Sequence, residues 1–452
     1  MAKVFPFRAF RYNPAHAPFE QVLTQPYDKI SPAMQDKYYA ANPHNLITVE
    51  KGRVHPSDGP GNTVYTRAAA AIQEWMRSGV VVQDPTASFY AYTQEYTVPG
   101  TNGRHTRRGF IGAGQLEDYS ADVIYRHEQT LSGPKADRLE LLRHTQMATG
   151  QLFLIYSDAH RRVDAVLNDT EKSAAPATEM TDEYGVIHRL WVVSDPERVK
   201  AIQEAMADQK LVIADGHHRY ETALNYRNER RTRAGKAMED APYERAMMTF
   251  INTQGAGLTI LPTHRVVAKL REFNWSELRR HLEPWFTAES IEFGDDSSKG
   301  KAREEFVRKL SAARRNRAIG AYPAVADKDK CAFYVLTLRE GVDLSRLLHN
   351  VSPLQRELDV VLLHEGILEP GLGITPQSVK AEANLSYERD AAAALDAVDS
   401  GAAQIAFLLN PCDVEEVVKI ATAGEVMPQK STDFFPKLMS GITIYSVDPE
   451  RT

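Results

Sequence analysis

Asp215, Gly216, His217, His218 and Arg219 follow one another in the stretch LVIADGHHRY, residues 211–220, directly behind an apolar run. If that run is a strand and the residues after it a helix, the cluster sits at a helix start. There, backbone N–H groups lack internal partners and the macrodipole favours an anion. Gly216 admits close backbone approach, and Arg219 suits bidentate binding of phosphate or carboxylate. His217 and His218 can donate hydrogen bonds or move protons near neutral pH. Asp215 is a carboxylate for Mg²⁺ or for orienting a substrate hydroxyl, and Glu221 and Thr222 follow as further binding candidates. The chemistry indicated is phosphate binding or transfer; the plain alternative is a turn ahead of a solvated helix start.

Other stretches offer matching groups. TLSGPKADR, residues 130–138, lacks the GxxxxGK[ST] spacing of a P-loop, yet Lys135 can meet a phosphate as a point charge, with Asp137 and Arg138 beside it. MPQKSTDFFPK, residues 427–437, carries Lys430, Ser431 and Thr432 for phosphate oxygens next to two phenylalanines. In QPYDKIS, Tyr27 accompanies Asp28, a carboxylate suited to act as general base on a hydroxyl. Ser31 is the better placed cap for a helix from Pro32. Arg219, Lys135 and Lys430 are expected to converge on one site. His127 with Glu128, His264, and His364 with Glu365 show no HExxH spacing, so structural histidines are expected there.

The elements that must position these groups read as α/β to α+β, with mixed sheets and flanking helices. SFYAYTQEYTV alternates as a strand and joins RRGFIGAGQLEDY across PGTNGR, whose Gly and Asn suit a hairpin turn. GVIHRLWVVSD, PERVKAIQEAM and KLVIADG read as strand, helix and strand, which suggests an α/β unit, and RYETALNYRNERR continues as a helix. A helix is expected from near Lys135, a strand over LTILPTHRVV and a continuous helix over ELDVVLLHEGIL. The pattern from about residue 272 suggests a small inserted α+β module. The expected organisation is a main α/β domain over 1–270, the small module over 271–350, and a C-terminal α/β segment over 351–452 that completes the site.

At 452 residues the chain exceeds what one hydrophobic core usually fills, and 43% hydrophobic with 25% charged residues is ordinary for a folded protein. A net charge of −6 and the lack of a long basic run disfavour nucleic acid as a partner. Cys331 and Cys412 are the two cysteines, far apart and outside any CxxC pattern, which fits a reducing cytoplasm. No window suggests a signal peptide or membrane span, so no membrane partner is expected.

The motifs QPYDKIS, NPHNLITVE, HEQTLSGPKADRLELLR, IADGHHRYETAL, LTILPTHRVV, LDVVLLHEGILEP and MPQKSTDFFPKLMSG together resemble the prokaryotic domain of unknown function 1015 family over nearly the whole chain. DGHHR is in turn similar to the signature of the ParB and sulfiredoxin-like superfamily, which includes nucleotide-binding partition proteins and free serine kinases. That resemblance implies a ParB/sulfiredoxin-like core and a phosphotransferase that converts free L-serine to O-phosphoserine. Mg²⁺ and a donor among ATP, ADP and pyrophosphate would serve it, with Asp28 as base, Asp215 and His218 catalytic, and Asp215 toward the metal. Sulfiredoxin chemistry needs a cysteine in the equivalent loop, and none lies near His217. The alternatives are a ParB-like nucleotide-binding or hydrolysing regulatory protein and a metal-dependent phosphohydrolase.

Overall fold

The computed structural model describes residues 1–128, 132–326, 331–381 and 383–451. It divides into two compact units, the first formed by Met1–Thr259 with Phe434–Thr452 and the second by Ile260–Asp433.

The first unit is built on a nine-stranded mixed sheet. Its strands are β1 Val4–Phe5, β2 Phe89–Thr97, β3 Arg104–Gln115, β4 Ile124–Tyr125, β5 Leu152–Tyr156, β6 Thr178–Thr181, β7 Ile187–Val193, β8 Leu211–Asp215 and β9 Arg245–Asn252. They lie in the order β4-β8-β5-β9-β3-β2-β7-β6, with β1 on β3. The pairs β4 with β8 and β5 with β9 are parallel, and β2 with β3 is the expected antiparallel hairpin. β7 and β8, read as one local α/β unit, are not neighbours: the helix between them carries the chain across the sheet.

The longer helices of this unit are α1 Pro32–Ala41, α2 Val64–Arg77, α3 Ser132–Thr145, α4 Arg162–Ser173, α5 Pro196–Met206 and α6 His217–Ala234. Strand alternation sorts residues between the faces of the sheet. Leu152, Leu154, Leu211, Ile213, Met248 and Phe250 share one core with Val163 and Leu167 of α4, Ile202 and Met206 of α5, and Tyr220 and Leu224 of α6. Each such side chain contributes about 1.5–3 kcal/mol by leaving water. This apolar seam fixes α6 against the sheet and so fixes the position of its first turn. Residues of the other parity are buried too, but many are polar: Tyr92, Gln94, Arg107, His188 and Thr249.

The second unit holds a six-stranded antiparallel sheet. Its strands are β10 His264–Val267, β11 Phe286–Phe293, β12 Ala318–Pro323, β13 Cys331–Leu338, β14 Leu385–Glu388 and β15 Ile405–Leu408. The order is β11-β13-β12-β15-β10-β14. The helices α7 Trp275–Leu282, α8 Asp296–Ala312, α9 Ala391–Asp399 and α10 Val414–Thr422 belong to this unit, and Phe306 and Leu310 of α8 with Leu395 and Val398 of α9 close the core over the sheet.

This pairing corrects the expected boundaries. The stretch 271–350 is no separate module, because its strand β12 bonds to β15, which also pairs with β10 from before residue 270. The C-terminal stretch is likewise divided, since residues from Phe434 onward belong to the first unit. Two local expectations also fail. The strand over 258–267 breaks at Pro262, which has no N–H for a ladder, into Thr259–Leu261 and His264–Val267. The helix over 357–368 splits into Asp359–Leu363 and a wide turn of π type, His364–Leu368.

Candidate anion site at the start of helix α6

The turn from β8 to α6 is shaped by a bulge. Ile213 faces Leu154 but Asp215 faces Phe153, so an extra residue is accommodated just before the turn. A shift of this kind re-aims every later side chain. Asp215 therefore shares the sheet face of Phe153, which packs against Phe434 at 5.4 Å between ring centroids. Beyond Phe434 the chain brings Lys437 to Asp215, with Nζ 3.2 Å from Oδ2. The other carboxylate oxygen accepts from the Gly216 N–H at 2.8 Å. Burial alone would raise the Asp215 pKa, but the adjoining Lys437 and Arg219 cations hold its carboxyl well below the usual carboxylate range.

Gly216 caps α6 at φ 94°, a left-handed conformation, and no side chain caps the helix. A Cβ there would stand 3.1 Å from Leu152 Cδ2 and 3.2 Å from Arg219 Nη2. The Arg219 guanidinium thus folds back over the glycine, and its Nη1 donates to the Gln151 carbonyl. The same Nη1 is 3.0 Å from where a Cβ on Gly150 would lie. Two glycines make room for one guanidinium.

A carboxylate that the sequence did not single out lies beside it. Glu50 is buried, and its oxygens accept from Thr149 Oγ1 at 2.6 Å, Ser440 Oγ at 3.2 Å and the Tyr27 N–H at 3.3 Å. Glu50 and Arg219 both line a small cavity of about 80 Å³, with Arg138 and Thr222. Arg138 stacks over the Tyr27 ring at 4.4 Å, donates to the Glu50 carbonyl at 2.8 Å and pairs with Asp137 at 2.7 Å. A wider cleft of about 580 Å³ shares Arg138 and is lined further by Tyr27, Lys51, Arg53, Tyr65 and Asp137. Lys51 donates to the carbonyls of Ile30 at 2.6 Å and Tyr27 at 3.3 Å, which holds the Tyr27–Lys29 turn in place.

Tyr27 links these parts. Burial pushes its phenol up to about 12, while Arg219, Asp28, Arg138 and Asp215 all act on it electrostatically. Four charged side chains, Asp28, Arg138, Asp215 and Arg219, thus act on one phenol, and Arg138 lies over its ring. Asp28 is exposed with Lys29 Nζ 3.5 Å away, and Ser31 rather than Asp28 caps α1 by accepting from the Met34 N–H.

Several candidates have other work. His217 is buried, and its Nε2 accepts from the His127 N–H at 3.5 Å. Burial, and then His127, push its pKa well below the ordinary histidine value, which works against the proton shuttling expected near pH 7. His127 donates from Nδ1 to the Ile213 carbonyl at 2.7 Å, and the two rings meet edge to face at 4.6 Å. Lys135 pairs with Glu221 at 2.7 Å, inside a helix that begins at Ser132 rather than near Lys135. Thr130 lies outside the described residues. The Thr222 hydroxyl donates to the His218 carbonyl at 2.8 Å, a bond within the helix. The Gly216 N–H is spent on Asp215. Lys430, Ser431 and Thr432 fall in the second unit, where Lys430 has φ 57° and the Ser431 hydroxyl donates to the Pro428 carbonyl at 2.5 Å. His264 accepts from the Leu409 N–H and His364 from Arg265, which makes both structural.

Asp215 does not fit a resident Mg²⁺. Its oxygens face an N–H and an ammonium, and no group of at least three His, Cys, Asp or Glu able to hold a metal exists among the described residues. The region instead sets three cations among carboxylates, Lys437 on Asp215, Arg138 on Asp137 and Arg219 in one cavity with Glu50, at a helix start that no side chain caps.

The family model of proteins of unknown function, DUF1015, matches residues 4–361. The chain belongs to this family. No curated protein matches it. Among solved structures it is similar to a conserved hypothetical protein from Pyrococcus furiosus, with 15% identity over 73% of this chain and 94% of that one, at a TM-score of 0.33. It is also similar to a free serine kinase in complex with AMP, with 14% identity over 78% and 96% of the two chains and a TM-score of 0.34. A third is SbnI with a C-terminal truncation, from Staphylococcus aureus, with 11% identity, 73% and 85% coverage and a TM-score of 0.32. Among the described residues no helix is long and apolar enough to cross a membrane.

Proposed function

We propose that the first unit transfers a phosphoryl group to the hydroxyl of a small metabolite, free L-serine, from ATP, ADP or pyrophosphate. The observation that carries this reading is the turn Asp215–Arg219: an uncapped helix start with a guanidinium folded over its glycine and a lysine beside its carboxylate. The likeness of DGHHR to ParB and sulfiredoxin-like proteins supplies the acceptor and the assignment of the core to that superfamily.

In this reading Arg219, Arg138 and the N–H groups of the first turn bind the donor phosphates, with His218 as a further donor. The cleft beside Arg138, at about 580 Å³, is within the range of small-ligand pockets and takes the rest of the donor. The acceptor oxygen attacks the terminal phosphorus, the bond from phosphorus to the bridging oxygen breaks, and the donor leaves with that electron pair. The hydroxyl proton passes to the Asp28 carboxylate. Lys437 keeps Asp215 ionised, and Asp215 orients the acceptor. Catalysis of this kind is positioning and charge stabilisation. Mg²⁺ enters only as the counter-ion of the donor.

Phosphorus NMR of the full chain with Mg²⁺ and L-serine, offering each donor in a separate tube, tests the reading. A phosphoserine signal with one donor, lost in Arg219→Ala, supports it and names the donor. Donor hydrolysis without phosphoserine favours the regulatory or hydrolytic alternative, and no turnover with any donor rejects catalysis here.

A further inference from the structure

We propose that the second unit binds a small organic anion in a cavity of its own. The cavity measures about 460 Å³, large enough for a metabolite rather than a bare ion. Arg314, Arg315 and Arg317, from the turn after α8, line one side of it, and Asn410 to Asp413 with Ser431 line another. Leu358, Val360, Leu409 and Met427 add an apolar wall.

The lining also holds carboxylates, but each is already engaged. Asp413 pairs with Arg314 at 2.6 Å, Asp359 with Arg317 at 2.9 Å, and Glu357 with Lys419 at 2.5 Å. Glu416 accepts from the Asp413 N–H at 2.7 Å. Arg317 also donates from Nη1 to the Arg356 carbonyl at 2.6 Å, yet its Nη2 is buried with no hydrogen-bond partner. Buried guanidinium donors are rarely left unmade, because the lost hydration is not replaced. Arg315 is exposed at the rim and forms no ion pair among the described residues. The unclaimed donors at this cavity are thus cationic, and a planar carboxylate or a phosphate group satisfies them. The ligand is an oxyanion head between Arg315 and Arg317, carrying an organic body that rests on the apolar wall.

Calorimetric titration of the full chain tests this, using phenyl phosphate, benzoate and inorganic phosphate as probes. Arg219→Ala serves as the background, so that the anion site of the first unit does not contribute and the two readings fail separately. Saturable binding of phenyl phosphate or benzoate is expected, weakened at least about tenfold in Arg219→Ala/Arg315→Gln. Whichever probe binds identifies the head group. The proposal is overturned if neither organic anion saturates, if inorganic phosphate binds as tightly as phenyl phosphate, or if Arg315→Gln leaves binding unchanged.

Discussion

Lys437 Nζ lies 3.2 Å from Asp215 Oδ2, although 222 positions separate the two residues in sequence. The contact depends on a second arginine. Buried Arg107 donates to the Phe435 carbonyl at 3.1 Å and to the Pro436 carbonyl, and so ties the segment carrying Lys437 to the sheet. Lys437→Met should leave the Asp215 carboxylate with the Gly216 N–H and the Arg219 cation, and should lower stability by roughly 1–3 kcal/mol, since the pair is only partly buried. Urea unfolding measures this loss. Phosphoryl transfer should fall in the same variant, with Lys437→Arg restoring part of both.

Gly216→Ala tests the turn without altering any charge. At φ 94° an alanine is strained, and its Cβ meets the Arg219 guanidinium and Leu152. The expected cost is roughly 1–3 kcal/mol in unfolding free energy. Because Arg219 must move, donor affinity should also fall, whereas Gly185→Ala, at a site with open space around it and φ 77°, should cost stability alone. Equal donor affinity in the two variants would detach Arg219 from phosphate binding.

Where local pattern governs, the sequence is a sufficient guide. The run KLVIAD forms β8, the polar cluster opens α6, and SFYAYTQEYTV with its partner forms the hairpin β2–β3. What it hides is long-range. Glu50 sits in NPHNLITVE, a stretch that marks the family but shows no spacing suggestive of chemistry, and only the fold brings Thr149, Ser440 and Tyr27 to it. The role of His217 was hidden for the same reason. Its neighbour Asp215 suggests a charged site, but burial against His127 ninety positions away decides its protonation. The domain boundaries failed because strand order is non-local: nothing in 271–350 announces that its β12 pairs with β15 of the later stretch, or that β15 also pairs with β10 from before it.

The buried histidines predict a pH dependence of stability. Burial lowers the His127 pKa to about 4, whereas an unfolded imidazole titrates near ~6.5. Between those values the unfolded chain holds a proton that the folded chain does not. The stabilisation is therefore fully present above pH ~6.5 and is lost as pH falls toward 4, by at most ~3 kcal/mol for His127. His264, lowered to about 4, and His364, lowered to about 3, act in the same direction in the second unit. His127→Asn keeps a donor for the Ile213 carbonyl and removes the titration, so denaturation between pH 4.5 and 7.5 should show a shallower slope for the variant. An unchanged slope would mean that His127 stays neutral for no energetic reason and that the other histidines account for the dependence.

The choice of base separates two carboxylates that flank Tyr27. Asp28 is exposed and is proposed to take the acceptor proton, whereas Glu50 accepts three hydrogen bonds in the interior. Asp28→Asn should lower kcat by roughly 10²–10⁴-fold with little change in stability or donor affinity, the signature of a lost general base. Glu50→Gln should instead cost roughly 1–3 kcal/mol of stability, because its amide N–H₂ opposes donors already in place. Its effect on the reaction should appear as weaker donor binding through the displaced Tyr27 and Arg138 rather than as a changed pH profile. The reverse pattern, with turnover abolished in Glu50→Gln and retained in Asp28→Asn, would move the base to Glu50 and leave Asp28 as part of the turn that Lys51 holds.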